Sequence, residues 1–421
     1  MSVHRKLTIG LFGFGVVGEG LYKILQKTPS LNATIKKVCI KHPDKKRNAP
    51  DELFTTDRNV LLNDDEINVI VEVINESEEA FQIVSTALRN GKEVVSASKK
   101  MIAEHFAELL QLQKETGLAV LYEASSCASI PIIRNLEEYY DNDLLHSLKA
   151  IVNGSTNFIL TKMFEEKLEF RDALILAQQL GFAEADPRLD IDGYDALNKW
   201  VILLNHAYGI VEKPSNVVFT GIQNITGTDA QVASQKTLDI KLIAQAKKLK
   251  NGKVAAFVLP QFVNQNDHFA FVKNEYNGVV IESGFADKQF FYGKGAGRYP
   301  TSSAVISDIS AFSHHYQYEY KKLRRKETQA LTYDFYLDVF VSFDAWTDVN
   351  KWDFEELTEY HSTAERQYIR GTIHAEKLRE AAWLNEPSVS IIVQPDGVIQ
   401  KDAIVKQSIK KLSLQLAGVG L

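Results

Sequence analysis

Between Gly181 and Gly209 the chain reads GFAEADPRLDIDGYDALNKWVILLNHAYG, and its ionisable residues are spaced for proton transfer and for holding a cation. Asp195 and Lys199 are four apart, so on a helix they lie one turn apart on a stripe that continues to Ile202 and His206. An amine beside a carboxylate can exchange a proton with a substrate hydroxyl, the more readily where burial lowers the amine's pKa. Ahead of the pair, Glu184, Asp186, Asp190 and Asp192 outnumber the local amine, which suits an ammonium ligand. Two readings of the pair stand. A solvated helix contact of this kind contributes ~0.3–0.5 kcal/mol and does no chemistry. The neighbours Trp200, Ile202, Leu203 and Leu204 favour a desolvated pair instead.

Two elements must position these groups. Pro187 removes a backbone donor and Asp residues favour caps and turns, so the acidic run is expected to be a loop. From about Tyr194 the spacing of Ala196, Trp200, Leu203 and Ala207 predicts a helix, with Asp192 as its N-cap.

A second constellation opens the chain. Leu7 to Phe12 is a short apolar strand, followed by Gly13, Gly15 and Gly18 in GxGxxG spacing and then a helical pattern through Leu21, Ile24 and Leu25. That context gives the glycines a mechanism: a tight turn, close approach of backbone to a pyrophosphate, and packing of helix on strand. The backbone of Phe14, Val16 and Val17 belongs to the same dinucleotide loop. After the second strand, about Ala33 to Ile40, an NAD site places an acid, whereas this chain has Lys41, His42, Lys45, Lys46 and Arg47. Positive groups there suit the 2′-phosphate of NADP; a basic surface loop is the alternative.

Strands at Ile67–Ile74, Glu93–Val95 and Leu118–Tyr122 alternate with helices at Glu78–Arg89 and 103–115. Such alternation implies a parallel, doubly wound sheet with ligands beyond the strands' carboxyl ends. That puts Ser98-Lys99 and Glu123 at the ligand-binding edge. Lys99 is a second candidate amine, or an ordinary surface lysine beside Lys100.

After Pro131 the pattern becomes α+β, with strands expected at Ala255–Val263, Phe269–Lys273 and Val279–Glu282. GKGAGRYPTSSA at 293–304 is glycine-rich without being a P-loop; a loop closing over a cofactor and a plain turn cluster both fit it. The basic run KKLRRK at 321–326 marks the expected start of a third segment, with strands near Tyr336–Phe343, Tyr368–Ile373 and Val389–Val393. The expected division is therefore a nucleotide-binding Rossmann domain at 1–135, a catalytic and dimerisation α+β domain at 136–320, and a C-terminal α+β segment at 330–421.

Composition bounds the class. With 421 residues, 45% hydrophobic and 24% charged, the chain is an ordinary globular protein of two or three domains. A net charge of −6 offers no basic footprint for nucleic acid, and no apolar run is long enough for a membrane helix. Two cysteines, Cys39 and Cys127, exclude a disulfide framework, and the first residues lack a signal-peptide core, so a cytoplasmic protein is expected.

Over about the first 310 positions the chain resembles the homoserine dehydrogenases. The resemblance is carried by FGFGVVG at 12–18, GKEVVSASK at 91–99, YEASSCASIPII at 122–133 and IVNGSTNFIL at 151–160. GFAEADPRLDIDGYDALNK at 181–199 and YGKGAGRYPTSSAV at 292–305 complete it. It implies NAD(P)-dependent interconversion of L-homoserine and L-aspartate 4-semialdehyde, a step towards threonine, methionine and isoleucine, by a homodimer or higher homo-oligomer. It further implies that Lys199 and Lys99 transfer the proton, that Asp195 positions substrate and lysine, and that Glu184, with Asp190 nearby, holds the substrate ammonium. Gly154 and Ser155 would meet the substrate carboxylate, and Gly295 and Gly297 the cofactor. A monovalent cation, Na⁺ or K⁺, would sit near Glu123 with the carbonyls of Ser126 and Ala128.

The chain departs from that family in three places. Ser98 precedes Lys99 where relatives have Asn, Ala128-Ser129 replaces a glycine pair, and Asn75-Glu76 replaces another. The C-terminal segment lacks the pattern of the amino-acid-sensing ACT domain, although a diverged version fits its strand–helix mix. A cofactor-binding relative without turnover and an oxidoreductase acting on another amino-acid aldehyde are the competing classes. The presence of Glu184, Asp195, Lys199 and Lys99 together favours the active enzyme.

Overall fold

A computed structural model describes residues 5–141, 144–325, 329–362 and 366–400. The chain forms two compact units. One takes the described residues of Met1–Leu144, Asn198–Pro214 and Phe291–Thr328, and the other those of Leu145–Leu197, Ser215–Phe290 and Gln329–Leu421.

The first unit is built on strands β1 (Leu7–Phe12), β2 (Ala33–Cys39), β3 (Phe54–Thr55), β4 (Val69–Glu72), β5 (Glu93–Ser96) and β6 (Val120–Leu121). They form one parallel sheet in the order β3-β2-β1-β4-β5-β6, the doubly wound order of a dinucleotide-binding fold. β1, β4, β5 and β6 are buried along their whole length, as helix-covered parallel strands are, which is why apolar residues predominate in them without a strict alternation. The helix expected over 103–115 is two helices, Lys99–Glu104 and Phe106–Thr116, interrupted at His105. Lys99 is thus the first residue of a helix, next to the carboxyl end of β5.

The second unit is organised by a ten-stranded mixed sheet. Its strands are β7 (Leu145–Ile151), β8 (Val218–Phe219), β9 (Leu238–Lys248), β10 (Val254–Asn264), β11 (Tyr276–Ser283), β12 (Asp287–Lys294), β13 (Tyr336–Phe343), β14 (Phe354–Ser362), β15 (Gln367–His374) and β16 (Ser390–Ile399). The order is β12-β11-β7-β9-β10-β16-β13-β15-β14, with β8 added to β10. β9 and β10 pair antiparallel over eleven residues each and form its longest ladder. Strands after residue 329 continue this sheet and share its core, where Phe257, Phe335 and Phe343 pack with Leu337, Val339 and Ile373.

One expected strand differs. Residues 269–273 are not a strand: His268–Phe271 is a 3₁₀ turn that tucks Phe269 into an apolar cluster with Ile151, Ile243 and Val272. Within the basic run, Lys322 is buried and donates to the carbonyls of Leu136 and His206. Among the described residues no helix is long and apolar enough to cross a membrane.

Candidate active site

In the first unit the glycine loop has the geometry its spacing predicts. β1 ends at Phe12, Gly13 takes φ +95°, and the helix Val16–Leu25 follows directly, capped by Gly15. A Cβ on Gly18 would stand 2.2 Å from the Gly13 carbonyl oxygen, so only glycine lets the helix start so close to the strand. Val16 is exposed at the open end of that helix, where unpaired amides favour phosphate. Phe14 packs edge-on against Tyr22 and Phe54.

The block at 293–304 holds to neither single reading. Through Lys294 it is β12, Gly295–Gly297 is the turn, and the rest begins the helix Arg298–Phe312. That helix packs on the nucleotide loop's helix: Ser302 Oγ donates to the Val17 carbonyl at 2.9 Å, and Arg298 pairs with Glu19 at 3.2 Å. The turn Gly295–Gly297 thus leads directly into a helix that packs on the helix of the dinucleotide loop.

Beyond β2, the Arg47 guanidinium is spent on the carbonyls of His42 and Lys45 and on the face of Phe54, while Lys41 and Lys45 remain exposed. Lys41, Arg58 and Lys100 line a concavity of about 830 Å³ together with the acids Glu76, Glu78, Glu79 and Glu104.

The turn that leads into Lys99 is braced by a buried acid that the strand pattern INVIVEVI conceals. Glu72, the last residue of β4, accepts from Ser96 Oγ at 2.5 Å and from the Ile74 amide at 2.7 Å. Ser96 Oγ in turn accepts the Ser98 amide at 3.0 Å, which fixes the turn into Lys99. Burial pushes Glu72 up to about 7. A lone acid in an otherwise apolar strand was the signal available.

Glu123 follows β6, and its carboxylate accepts the amides of Ile133 at 2.8 Å and Arg134 at 3.0 Å. Its own amide donates to Asp308, which also pairs with Arg134 at 2.7 Å. Burial raises both acids, Glu123 to about 7 with help from the Asp308 charge, and Asp308 to about 6. Along the turn, Ser126 Oγ is buried with no hydrogen-bond partner among the described residues, and Ala128 adopts φ +43°. The turn thus holds a left-handed conformation that favours glycine, with a methyl group in place.

In the second unit one residue organises the acids. Asn153 caps the helix Gly154–Glu165, its Oδ1 accepting the Thr156 amide at 2.8 Å. Its Nδ2 donates both to Asp190, at 2.7 Å, and to Asp195, at 2.8 Å. A carboxamide that donates to two carboxylates fixes the direction of each, and a pair of oriented acids suits an ammonium or a hydroxyl. Asn153 lies inside IVNGSTNFIL, and nothing local distinguishes it from a simple cap. Ser155 gives its hydroxyl proton to the Phe182 carbonyl at 2.6 Å, and Gly154 packs on the Glu275 carbonyl, where a Cβ would come within 2.6 Å. Glu184 is exposed on the loop, and Asp186 pairs outward with Arg188.

The acidic stretch is not loop throughout: Arg188–Ile191 makes one helical turn. Asp192 ends that turn instead of capping the next helix, because the carbonyl that opens Tyr194–Tyr208 is that of Gly193, bonded by the Leu197 amide. Gly193 takes φ +89° and Gly221 packs beside it, its amide nitrogen 3.2 Å from where a Cβ on Gly193 would be. This brings the acidic turn and the helix into contact with no side chain between. Asp195 and Lys199, one turn apart on that helix, are each only 6% exposed, which removes the solvated-pair reading.

Known proteins carry the same architecture. The family model for homoserine dehydrogenase matches residues 131–310, and that for the homoserine dehydrogenase NAD-binding domain matches 13–123. Homoserine dehydrogenase of Bacillus subtilis is 37% identical over 316 residues, 73% of each chain. The crystal structure of a homoserine dehydrogenase from Thiobacillus denitrificans, 27% identical, aligns with a TM-score of 0.80 over 93% of this chain and 98% of that one. A hyperthermophilic archaeal homoserine dehydrogenase in complex with NADPH, 28% identical, aligns at 0.63 over 75% of this chain and 99% of its own. With a nicotinamide-cofactor domain and a relative of this identity spanning nearly three quarters of it, the chain belongs to the homoserine dehydrogenase family, the NAD(P)-dependent oxidoreductases that interconvert L-homoserine and L-aspartate 4-semialdehyde.

Proposed function

We propose that this enzyme works with NADP in preference to NAD and moves its proton through Lys199, with Lys99 as the second amine. The observation that carries the site assignment is the Asn153 bridge to Asp190 and Asp195, one turn before a buried Lys199. Asp195 orients the substrate hydroxyl and the Lys199 amine, while Glu184 and Asp190 receive the substrate ammonium. The Gly154-Ser155 turn meets the substrate carboxylate at a helix N-terminus, where amides favour an anion. In the oxidising direction the C–H bond of the carbinol carbon and the O–H bond both break. A nicotinamide held by the glycine loop would supply the hydride acceptor, and Lys199 takes the hydroxyl proton as the carbinol becomes the aldehyde. A positioned acid–base group of this kind contributes ~10²–10⁴-fold to rate. In reverse, Lys199 returns its proton to the aldehyde oxygen.

The NADP preference rests on Lys41 and Lys45, exposed where a ribose phosphate would lie, with Gly13, Phe14, Gly15, Val16, Val17 and Gly18 around the pyrophosphate and Gly295 and Gly297 beside them. Glu76, Glu78 and Glu79, which line the same concavity as Lys41, weigh the other way, so the two lysines are the ones to test. A monovalent cation fits the turn of Glu123, Ser126 and Ala128 because the buried Ser126 hydroxyl lacks a partner among the described residues and two buried acids, Glu123 and Asp308, lie near a single guanidinium, that of Arg134. We further propose a cytoplasmic homodimer. Neither Cys39 nor Cys127 forms a disulfide, and the side chains of Phe271 and Phe285 are exposed on the second unit.

The decisive assay is NADPH formation from L-homoserine and NADP⁺, repeated with NAD⁺ and with added Na⁺ or K⁺. NADP⁺ should be the better substrate and Lys41→Ala with Lys45→Ala should narrow the difference. A Lys199→Ala enzyme with normal turnover would refute the proton-transfer assignment, and light scattering at one-chain mass would refute the dimer.

A further inference from the structure

The stripe Asp195, Lys199, Ile202, His206 ends in an ionisable side chain that the proposed chemistry does not use. His206 lies two turns beyond Lys199 and is wholly buried. Its ring is held at both nitrogens: Nδ1 faces the Glu137 carboxylate at 2.7 Å and Nε2 the Tyr122 hydroxyl at 2.8 Å. Glu137 stands on a π-helical turn, Asn135–Tyr139, and its second oxygen accepts the Tyr320 amide at 3.1 Å. The Tyr320 hydroxyl meets that of Tyr122 at 3.1 Å and the Gln113 carboxamide at 3.2 Å. Lys322 adds to the network at the same end of the helix, donating to the carbonyls of His206 and Leu136.

We infer that Glu137, His206, Tyr122 and Tyr320 are a positioning network that fixes the rotation and height of the helix carrying Lys199, and through it the place of the reacting amine. The inference rests on the role proposed for Lys199 and adds the residues that aim it. An apolar residue at 206 would serve a core at least as well, because replacing a buried ion pair by packed hydrophobics is often neutral or stabilising. What apolar packing does not supply is direction. Dispersion contacts tolerate a small rotation, whereas two hydrogen bonds on opposite edges of one ring do not.

The lever is long enough to matter. A helix with side chains has a radius of about 5–6 Å, so turning it by roughly 10° moves a side-chain terminus by about 1 Å. A displacement of ~1 Å at a reacting group can cost ~10²-fold in rate. The wall to which the helix is fixed is itself tied together. Tyr122 precedes Glu123, whose carboxylate caps the helical run from Ile132, and that run continues into the turn bearing Glu137.

The test is a double-mutant cycle between His206→Leu and Lys199→Ala in the full-length enzyme, with kcat, the KM for L-homoserine, NADP⁺ affinity by fluorescence, and Tm all measured. His206→Leu alone should lower kcat about 10–100-fold, with KM and NADP⁺ affinity within about threefold of the parent. In the Lys199→Ala background the same change should lower kcat no further. Tyr122→Phe, which removes one hydroxyl and leaves the Glu137 contact, should show the same pattern at about 3–10-fold, and it decides the matter if His206→Leu does not fold. A fall in Tm with kcat unchanged, or effects that multiply in the double variant, would overturn the network. Normal turnover by Lys199→Ala alone would instead remove the reading of Lys199 on which it rests.

Discussion

Two turns hold most of the proposed chemistry, and they are made in opposite ways. The dinucleotide turn at Gly13–Gly18 closes on itself: the closest obstacle to a Cβ on Gly18 is the carbonyl of Gly13, five residues earlier. The acidic turn at Gly181–Gly193 closes on distant partners. Asn153 reaches it from 37 and 42 residues away, and Gly221 supports it from the far side. A turn of the first kind keeps its shape wherever a strand and a helix flank it. A turn of the second kind has a shape only while the sheet behind it is folded, which makes it easier to tune and easier to break.

The turn at Glu123–Ala128 is the sharpest case of the second kind within the nucleotide-binding unit, since two buried acids and Arg134 hold it. Arg134→Met should produce the largest loss of stability, about 3–5 kcal/mol at pH 8, because it leaves buried carboxylates without their cation. The loss should shrink at pH 5. Folded, Glu123 and Asp308 titrate near 7 and 6, above their ordinary values of 4.5 and 3.8. Between about pH 4 and 7 the folded state therefore keeps protons that the unfolded chain releases. The stability these acids contribute falls as pH rises through that window and is level above it. Urea unfolding of parent and variant at both pH values measures this, and equal losses at pH 5 and 8 would contradict it.

Asn153→Ala comes next. It removes a cap worth ~1 kcal/mol and frees Asp190 and Asp195 from their common donor. The expected cost is about 10²-fold in kcat/KM for L-homoserine with NADP⁺ affinity unchanged, which steady-state kinetics and cofactor titration separate. Gly18→Ala should give the mirror image on a smaller scale, about tenfold weaker NADP⁺ binding with little change in turnover once cofactor saturates. If Gly18→Ala impaired homoserine affinity as much as cofactor affinity, the independence of the two turns would be lost.

The same contrast explains what could be read from the residues alone. Strand alternation, the glycine loop and Lys99 at the sheet's carboxyl edge were legible because each depends on neighbours in sequence. So was the Asp195–Lys199 stripe. Its burial was not: helical spacing gives a face, and only the fold shows both groups to be almost inaccessible. The cap assigned to Asp192 belongs to Gly193 because a φ of +89° beside Gly221 outweighs side-chain preference. Glu72, Asn153 and the partners of His206 were hidden for a common reason. Each looks locally like a strand acid, a helix cap or a core residue, and each acts through a partner more than 20 residues away.

The smallest expected effect tests whether a long-range turn can impose a conformation its own residues resist. Ala128 sits at φ +43°, where a Cβ costs roughly 1–2 kcal/mol that glycine does not incur. Glycine also has more freedom to lose on folding, by roughly 0.5–1 kcal/mol. The balance predicts that Ala128→Gly stabilises the enzyme by up to about 1 kcal/mol, a rise of a few degrees at most in Tm. Cation dependence is the sharper readout. If Na⁺ or K⁺ binds the carbonyls of this turn, relaxing it should alter the cation concentration that half-activates the enzyme more than it alters Tm. A variant less stable than the parent would mean that the methyl group is packed as a core contact, and that the surrounding acids and Arg134 hold the turn without strain.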